Sequence, residues 1–471
     1  MFSRRGFIRV GAASVGSLAL RPFGLLPALA QGGSDYRALV CVFLFGGNDS
    51  NNMIVPMDDA SYKAYQSIRG TLALPASGLA PVTSVAGAPY GFHSALPDVA
   101  SLFSSKELAV VANVGSLVQP LTRARYQSNQ AVLPSNLFSH ADQQQQWQTS
   151  IAQGRSQTGW AGRAADYVAA QKMNSSQFPT FISVAGNVLE GAGANTSPVA
   201  LTPGQSLQLG GFNNSAAAQA RWNALTSLLS LDSGVKLAQA ANNVLSMSIA
   251  DAQMLDQALA HAPALQTQFP KTSLGAQLQQ VAHIIQVQSA LGMNRQIFFC
   301  SIGSFDSHTG ETGTLNVLYP QLSQALAAFY NATHEIGMAD KVTTFTESDF
   351  NRTFQPTSGD GTDHAWGGHH LVLGGAVGGG QIYGAFPTFA LGGPDDTDTR
   401  GRWIPTTSID QYGATLCSWF GIPDSALPAI FPNLTNFATS NLGIFSSRPS
   451  NRSRGCSEFE TLCTPHRGRT I

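Results

Sequence analysis

The chain has 471 residues, of which 43% are hydrophobic and 11% charged, and its formal net charge is −1. That length fits one large α/β domain with insertions, or two to three smaller domains. Its apolar and aromatic content excludes a disordered polypeptide, and without a basic surplus no nucleic-acid partner is expected.

Residues 1–30 read as an export signal. Arg4-Arg5-Gly6-Phe7-Ile8 precedes an apolar stretch from Val10 to Leu20 and then Ala28-Leu29-Ala30, a small-x-small cleavage pattern. The paired arginines fit the twin-arginine signal, so the expected export partner is the twin-arginine translocase, and the mature chain is expected in the periplasm or secreted. An uncleaved anchor is the competing reading. No later segment reaches the roughly 18 apolar residues of a spanning helix, so no stable membrane span is expected.

Ala38-Leu39-Val40-Cys41-Val42-Phe43-Leu44-Phe45 is an unalternated apolar run closed by Gly46-Gly47-Asn48-Asp49, the pattern of a strand buried on both faces. Similar runs recur at Leu108–Val114, Gln296–Ile302, Val342–Thr346 and Leu371–Leu373. Helical spacing lies between them, at Leu274, Leu278, Val281, Ile284 and Ile285, and at Leu315, Leu318, Leu322, Leu326 and Phe329. The alternation predicts an α/β fold over 31–445, a largely parallel sheet flanked by helices. Residues 187–268, rich in Ala, Asn, Gln and Ser, read as a mainly helical insertion or cap, and 446–471 as a disordered tail. Cys41, Cys300 and Cys417 fall in apolar elements and are expected as buried thiols, whereas Cys456 and Cys463 could pair.

Ligands of parallel sheets bind beyond the C-terminal strand ends. There this sequence offers Asp49, then Asp306 and His308, then Glu347 and Asp349; Asp363 and His364 come just before Leu371. Of His369 and His370, at most one is expected to act. Carboxylates and imidazoles at successive strand ends suit a divalent cation such as Zn, Mn or Mg. Singly each has a plainer reading, Asp49 as a turn residue and Asp306 with His308 as a loop hydrogen bond. In Phe138-Ser139-His140-Ala141-Asp142, Ser139 precedes a polar helix, where amide dipoles favour an anion and a metal could activate its hydroxyl. A simple N-cap is the alternative. The sequence lacks a Gly-x-Ser-x-Gly elbow, a Gly-x-Gly-x-x-Gly turn after the first strand and a Walker A loop.

Taken in order, the twin-arginine leader, Val42-Phe43-Leu44-Phe45-Gly46-Gly47-Asn48-Asp49-Ser50-Asn51-Asn52, Phe138-Ser139-His140-Ala141-Asp142-Gln143, Thr158-Gly159-Trp160-Ala161-Gly162-Arg163, Phe305-Asp306-Ser307-His308 and Gly361-Thr362-Asp363-His364-Ala365-Trp366-Gly367 resemble the uncharacterised domain-of-unknown-function family 1501. That family is grouped with the alkaline phosphatase and sulfatase superfamily, so the resemblance implies an alkaline phosphatase-like sheet and a two-metal site. It implies Asp49 as the first-strand metal aspartate, Ser139 as nucleophile, and Asp306 and His308 as metal ligands, two apart where the superfamily spaces them by four. By letters Asp363-His364 resembles the superfamily's Asp-His pair. By strand order Glu347 stands at that position and His364 takes the place of the final metal histidine; this alignment is favoured and leaves one metal site short of a histidine. Arg352 or Arg163, with His140, would bind substrate. The implied activity is that of an exported hydrolase of small-molecule or polymer phosphate or sulfate esters, dependent on a divalent metal ion (Zn, Mn, Mg or Ca). The alternative is a non-catalytic binding or assembly protein that keeps the fold.

Overall fold

Twelve strands are present in the computed structural model, which describes residues 35–128, 130–205, 215–232 and 234–445. The expected signal at 1–30 and the tail at 446–471, with Cys456 and Cys463, lie outside the described residues. In chain order the strands are β1 (Arg37–Leu44), β2 (Ile54–Pro56), β3 (Leu79–Thr83), β4 (Pro89–His93), β5 (Leu108–Gly115), β6 (Phe181–Ser183), β7 (Val199–Ala200), β8 (Arg295–Ile302), β9 (Val342–Ser348), β10 (Gly368–Leu373), β11 (Ile382–Tyr383) and β12 (Thr407–Ser408). A nine-stranded sheet runs β11-β5-β10-β9-β1-β8-β6-β7, with β12 also on β5; β2, β4 and β3 form a small antiparallel sheet.

β1 is central because both its faces are apolar. It pairs in parallel with β8 on one side and β9 on the other. Successive side chains point to opposite faces, so Ala38, Val40, Val42 and Leu44 enter one core while Leu39, Cys41 and Phe43 enter the other. The helices Ser273–Gln286 and Glu311–Glu335 cover the first face, and Trp160–Ala170 and Ile409–Phe420 the second. The residues that marked the two helical stripes in the sequence are all buried in the first core.

One strand departs from the expected direction. β10 runs antiparallel to both β5 and β9, so the sheet is mixed, though mostly parallel. The reversal brings the N-terminal end of β10 to the edge where β1, β8 and β9 have their C-terminal ends. The segment preceding β10 thereby joins the loops that follow the parallel strands.

Within 187–268, β7 adds a two-residue edge strand beside β6. The helices Ala216–Leu229 and Lys236–Leu259 bury only Ala218 and Leu255. Cys41, Cys300 and Cys417 are buried free thiols. Among the described residues no helix is long and apolar enough to cross a membrane.

Candidate metal centre

The centre is assembled by close approaches that glycine permits. After β1 the chain turns at Gly46 and Gly47, with φ of 109° and 84°. A Cβ on Gly46 would lie 2.5 Å from the Asp306 nitrogen, and one on Gly361 2.2 Å from the His308 carbonyl oxygen. Phe305 N donates to Phe45 O at 3.1 Å and Thr362 N to Ser307 O at 3.0 Å. The loops after β1 and β8 and the segment before β10 are thus in backbone contact.

Asp306 is the focus. Its Oδ1 accepts from Arg352 Nη1 at 2.8 Å and lies 3.1 Å from His308 Nε2 and 3.5 Å from His364 Nε2; its Oδ2 lies 3.4 Å from His140 Nε2. Each histidine is turned by a contact on its other nitrogen. His140 Nδ1 is 2.7 Å from Asp349 Oδ2, His364 Nδ1 is 2.8 Å from the Phe138 carbonyl oxygen, and His308 Nδ1 is 3.3 Å from Asp363 Oδ1. An oxygen on one ring nitrogen, with the other left for the ion, is the usual support of a ligating histidine. Zn–N bonds of about 2.0–2.1 Å at tetrahedral angles place neighbouring donors about 3.3 Å apart. His308 Nε2 and His364 Nε2 are 3.0 Å apart, and one ligand atom each from His140, Asp306 and His364 lies within 4.8 Å of the others. Those three donors fit one divalent ion, and His308 approaches it from the side of Asp306 and His364. The Asp306 side chain is 42% exposed, which leaves the centre open to solvent.

Electrostatics follow from these contacts. Partial burial works against ionising Asp306, yet the Arg352 guanidinium, then His308 and His140, hold its carboxyl below the ordinary range. The hydrogen bond to Asp349 raises His140, against partial burial. Burial lowers His364, with the nearby charges of His140 and Arg352 adding to it. Asp363 is also depressed: burial opposes this, but Arg400, at 2.8 Å, outweighs it.

Several residues singled out in the sequence lie elsewhere or act differently. Asp49 is fully buried, accepts from Asn51 N at 3.1 Å and forms a short ion pair with Arg69. Arg69 also meets Glu311 at 3.0 Å, so the Asp49 carboxylate is committed beneath the centre. β9 extends to Ser348, two residues beyond the apolar run, so Glu347 lies within the strand and shares the buried face of Phe345 and Cys41. Asp363 backs His308 and does not join the three-residue group around Asp306. His140, expected to touch substrate, points its Nε2 at Asp306. Arg352 is buried, with Nε on Thr362 Oγ1 at 3.1 Å, Nη2 on the Thr362 carbonyl and Nη1 on Asp306; it positions Asp306 and has no donor turned to the cleft. Arg163 donates to the carbonyls of Thr158, Thr149 and Ile430. The Ser139 hydroxyl donates to Asp142 Oδ2 at 2.7 Å and makes no capping bond to the helix His140–Thr149. His369 and His370 are buried in β10, and burial lowers both to about 3, so they are neutral.

Asp349, offered by the sequence among the strand-end carboxylates but given no role there, is the residue that turns His140. It accepts from Gly46 N at 3.1 Å and from Gln144 Nε2 at 2.7 Å besides facing His140. Its signal was the strand period: with Phe345 facing a core, Glu347 must face it too, and Asp349 is the first carboxylate beyond the strand end.

No curated protein matches the chain in sequence. Solved structures similar to it are distant. A sulfatase, PsFucS1 from Pseudoalteromonas sp., has a TM-score of 0.35 and 9% identity over 85% of this chain and 71% of that one. Ps i-CgsB, solved in complex with k-i-k-neocarrahexaose, has a TM-score of 0.34 and 9% identity over 85% and 77%. The phosphonate monoester hydrolase of Agrobacterium radiobacter has a TM-score of 0.29 and 9% identity over 82% and 74%. A family model matches residues 36–397, the stretch that carries β1, the glycine turn, the helix of His140 and the Asp306 and His364 segments; the chain belongs to the protein family of unknown function DUF1501.

Proposed function

We propose that the chain is an exported, metal-dependent hydrolase of phosphate or sulfate esters, with His140, Asp306, His308 and His364 around one divalent ion. The observation that carries this reading is the convergence of three imidazole Nε2 atoms on the Asp306 carboxylate, each ring tied to an oxygen through Nδ1. A cation bound there would supply Lewis acidity toward the non-bridging oxygens of the ester. Imidazole-rich donors favour Zn²⁺ over Mn²⁺, Mg²⁺ or Ca²⁺. Asp49 and Glu347 are committed elsewhere, so a second catalytic ion is not part of the reading.

The chain's own groups then have defined tasks. Asp349, Asp363 and the Phe138 carbonyl orient the three rings, and Arg352 keeps Asp306 ionised. Ser139, one residue before His140, is the proposed nucleophile. Its Oγ forms a bond to phosphorus or sulfur as the bond to the alcohol oxygen breaks. The hydroxyl proton passes to Asp142, which already accepts its hydrogen bond, and the leaving alkoxide takes a proton from solvent. Water then hydrolyses the ester formed on Ser139.

Ser139→Ala in metal-loaded protein is expected to abolish turnover of phosphate and sulfate esters while metal content stays unchanged. Retained turnover with a stability loss of about 1 kcal/mol, the worth of its hydrogen bond to Asp142, would reduce Ser139 to a structural residue. One feature favours the second reading, a non-catalytic binding protein: Arg352 is fully buried and each of its guanidinium nitrogens is bonded within the protein, so this arginine is not presented to a tetrahedral anion. Wild-type protein that holds metal yet hydrolyses no ester of either class would establish that reading.

A further inference from the structure

On the sheet face covered by the helix Trp160–Ala170, three side chains that the cleft does not use meet out of solvent. Cys41 of β1, Glu190 and Glu347 of β9 are 0%, 0% and 1% exposed, and one ligand atom of each lies within 4.8 Å of the others. Both oxygens of Glu190 and Oε2 of Glu347 have no hydrogen-bond partner. No ion pair among the described residues reaches either carboxyl; burial pushes both up, the charge of Glu347 adds to the rise at Glu190, and contacts with Trp160 and Cys41 only partly offset it at Glu347. An uncompensated buried carboxylate is among the costliest groups a protein can hold, so two side by side require protons or a cation.

The surroundings are constructed to keep Glu190 there. The motif Thr158-Gly159-Trp160-Ala161-Gly162-Arg163, which the cleft leaves unexplained, packs its backbone on 190–193. Gly159 N donates to Ala192 O at 2.9 Å and Gly162 N to Glu190 O at 2.8 Å. A Cβ on Gly159 would lie 2.0 Å from the Glu190 carbonyl oxygen, and one on Gly162 2.1 Å from that of Ala192. A Cβ on Gly191 would lie 2.0 Å from the Phe181 ring. Three glycines thus clamp a loop that would otherwise be free to lift Glu190 into water.

We infer that Cys41, Glu190 and Glu347 form a second, enclosed site for a divalent transition metal of the zinc class, structural and separate from the cleft. A thiolate with carboxylates is a zinc-type donor set, and the sulfur selects against Mg²⁺ and Ca²⁺. Two ionised ligands neutralise a divalent ion, and a carboxylate that binds through both oxygens would bring the three residues to the four donor atoms of a tetrahedral shell. Bound there, the ion ties β1 and β9 to the loop after β6 and becomes part of the folding free energy. Because the site is closed, it is filled as the chain folds.

The test expresses full-length protein in medium carrying Co²⁺ or Zn²⁺ and measures metal per chain together with the electronic spectrum. The cobalt protein is expected to show a sulfur-to-cobalt charge-transfer band that persists in His364→Ala and vanishes in Cys41→Ser. Glu190→Gln is expected to lose one equivalent of metal relative to wild type and to melt at lower temperature. A wild-type cobalt protein without that band, and with metal content equal to that of Glu190→Gln, would overturn the site and make the glutamates a proton-sharing pair. The wild-type spectrum decides the matter even if a variant fails to fold.

Discussion

The Asp349 carboxylate holds the Gly46 amide, the Gln144 side chain and the His140 ring at once, so it couples the turn after β1 to the first turn of the helix His140–Thr149. Asp349→Asn keeps the shape and removes the charge that raises His140 and directs its Nε2. Metal affinity at the cleft is expected to fall about 10–100-fold with little change in melting temperature, measured by competition against a chelator. An unchanged affinity would mean that His140 is not a ligand. Asp306, His308 and His364 were legible in the sequence because short carboxylate–imidazole clusters after apolar runs have few uses. The role of Asp349 was not, because it depends on where β9 stops, and the run Val342–Thr346 ended two residues short of the true strand. Asp49 misled for a related reason: position after a strand was visible, but its Arg69 partner, on a helix with no catalytic signature, was not.

At the scale of elements, the antiparallel direction of β10 brings the segment before it, with His364, to the centre, and nothing in the letters of Leu371–Leu373 distinguishes it from a parallel strand. Strand direction is fixed by the connection, and here the chain leaves β9, crosses the cleft edge through 349–367 and returns at once. The helices Ala216–Leu229 and Lys236–Leu259 were readable as helices from composition. Their exposure was not, since Leu237, Val244 and Met247 all face solvent. The helix Ile409–Phe420 carries a pH-dependent element. Asp410 sits in its first turn, accepting from Asn433 N at 3.0 Å, yet burial pushes its carboxyl up to about 7. A folded-state value above the unfolded value of about 3.9 favours the protonated form. The contribution to stability is thus complete below pH 4, declines as pH rises toward 7, and is gone above that. Urea unfolding at pH 5 and pH 8 is expected to show wild type losing about 1–3 kcal/mol relative to Asp410→Asn across that interval. Parallel pH profiles for the two proteins would contradict this.

For the whole molecule, a buried polar chain connects the first strand loop to the cleft. Asp49 pairs with Arg69, Arg69 with Glu311, Glu311 accepts from Thr362 Oγ1, Thr362 accepts from Arg352, and Arg352 holds Asp306. Burial, then the neighbouring Asp49, pushes the Glu311 carboxyl up to about 8. Arg69→Ala would leave two acids in the interior without their cation. It is expected to cost about 3–5 kcal/mol in denaturant unfolding, and a loss below 1 kcal/mol would show that the acids are neutral without it.

The position of β1 has a consequence for biogenesis. Among the described strands this middle one is the first to leave the ribosome, and its two neighbours are residues 295–302 and 342–348. Until those emerge, an apolar strand with two unpaired edges has no place to dock, and the nascent polypeptide depends on chaperones or on its own transient collapse. Pairing of both edges of β1 therefore waits until residue 348 has been made. If the leader is read as its letters suggest, the translocase receives a chain whose closing step has already taken place.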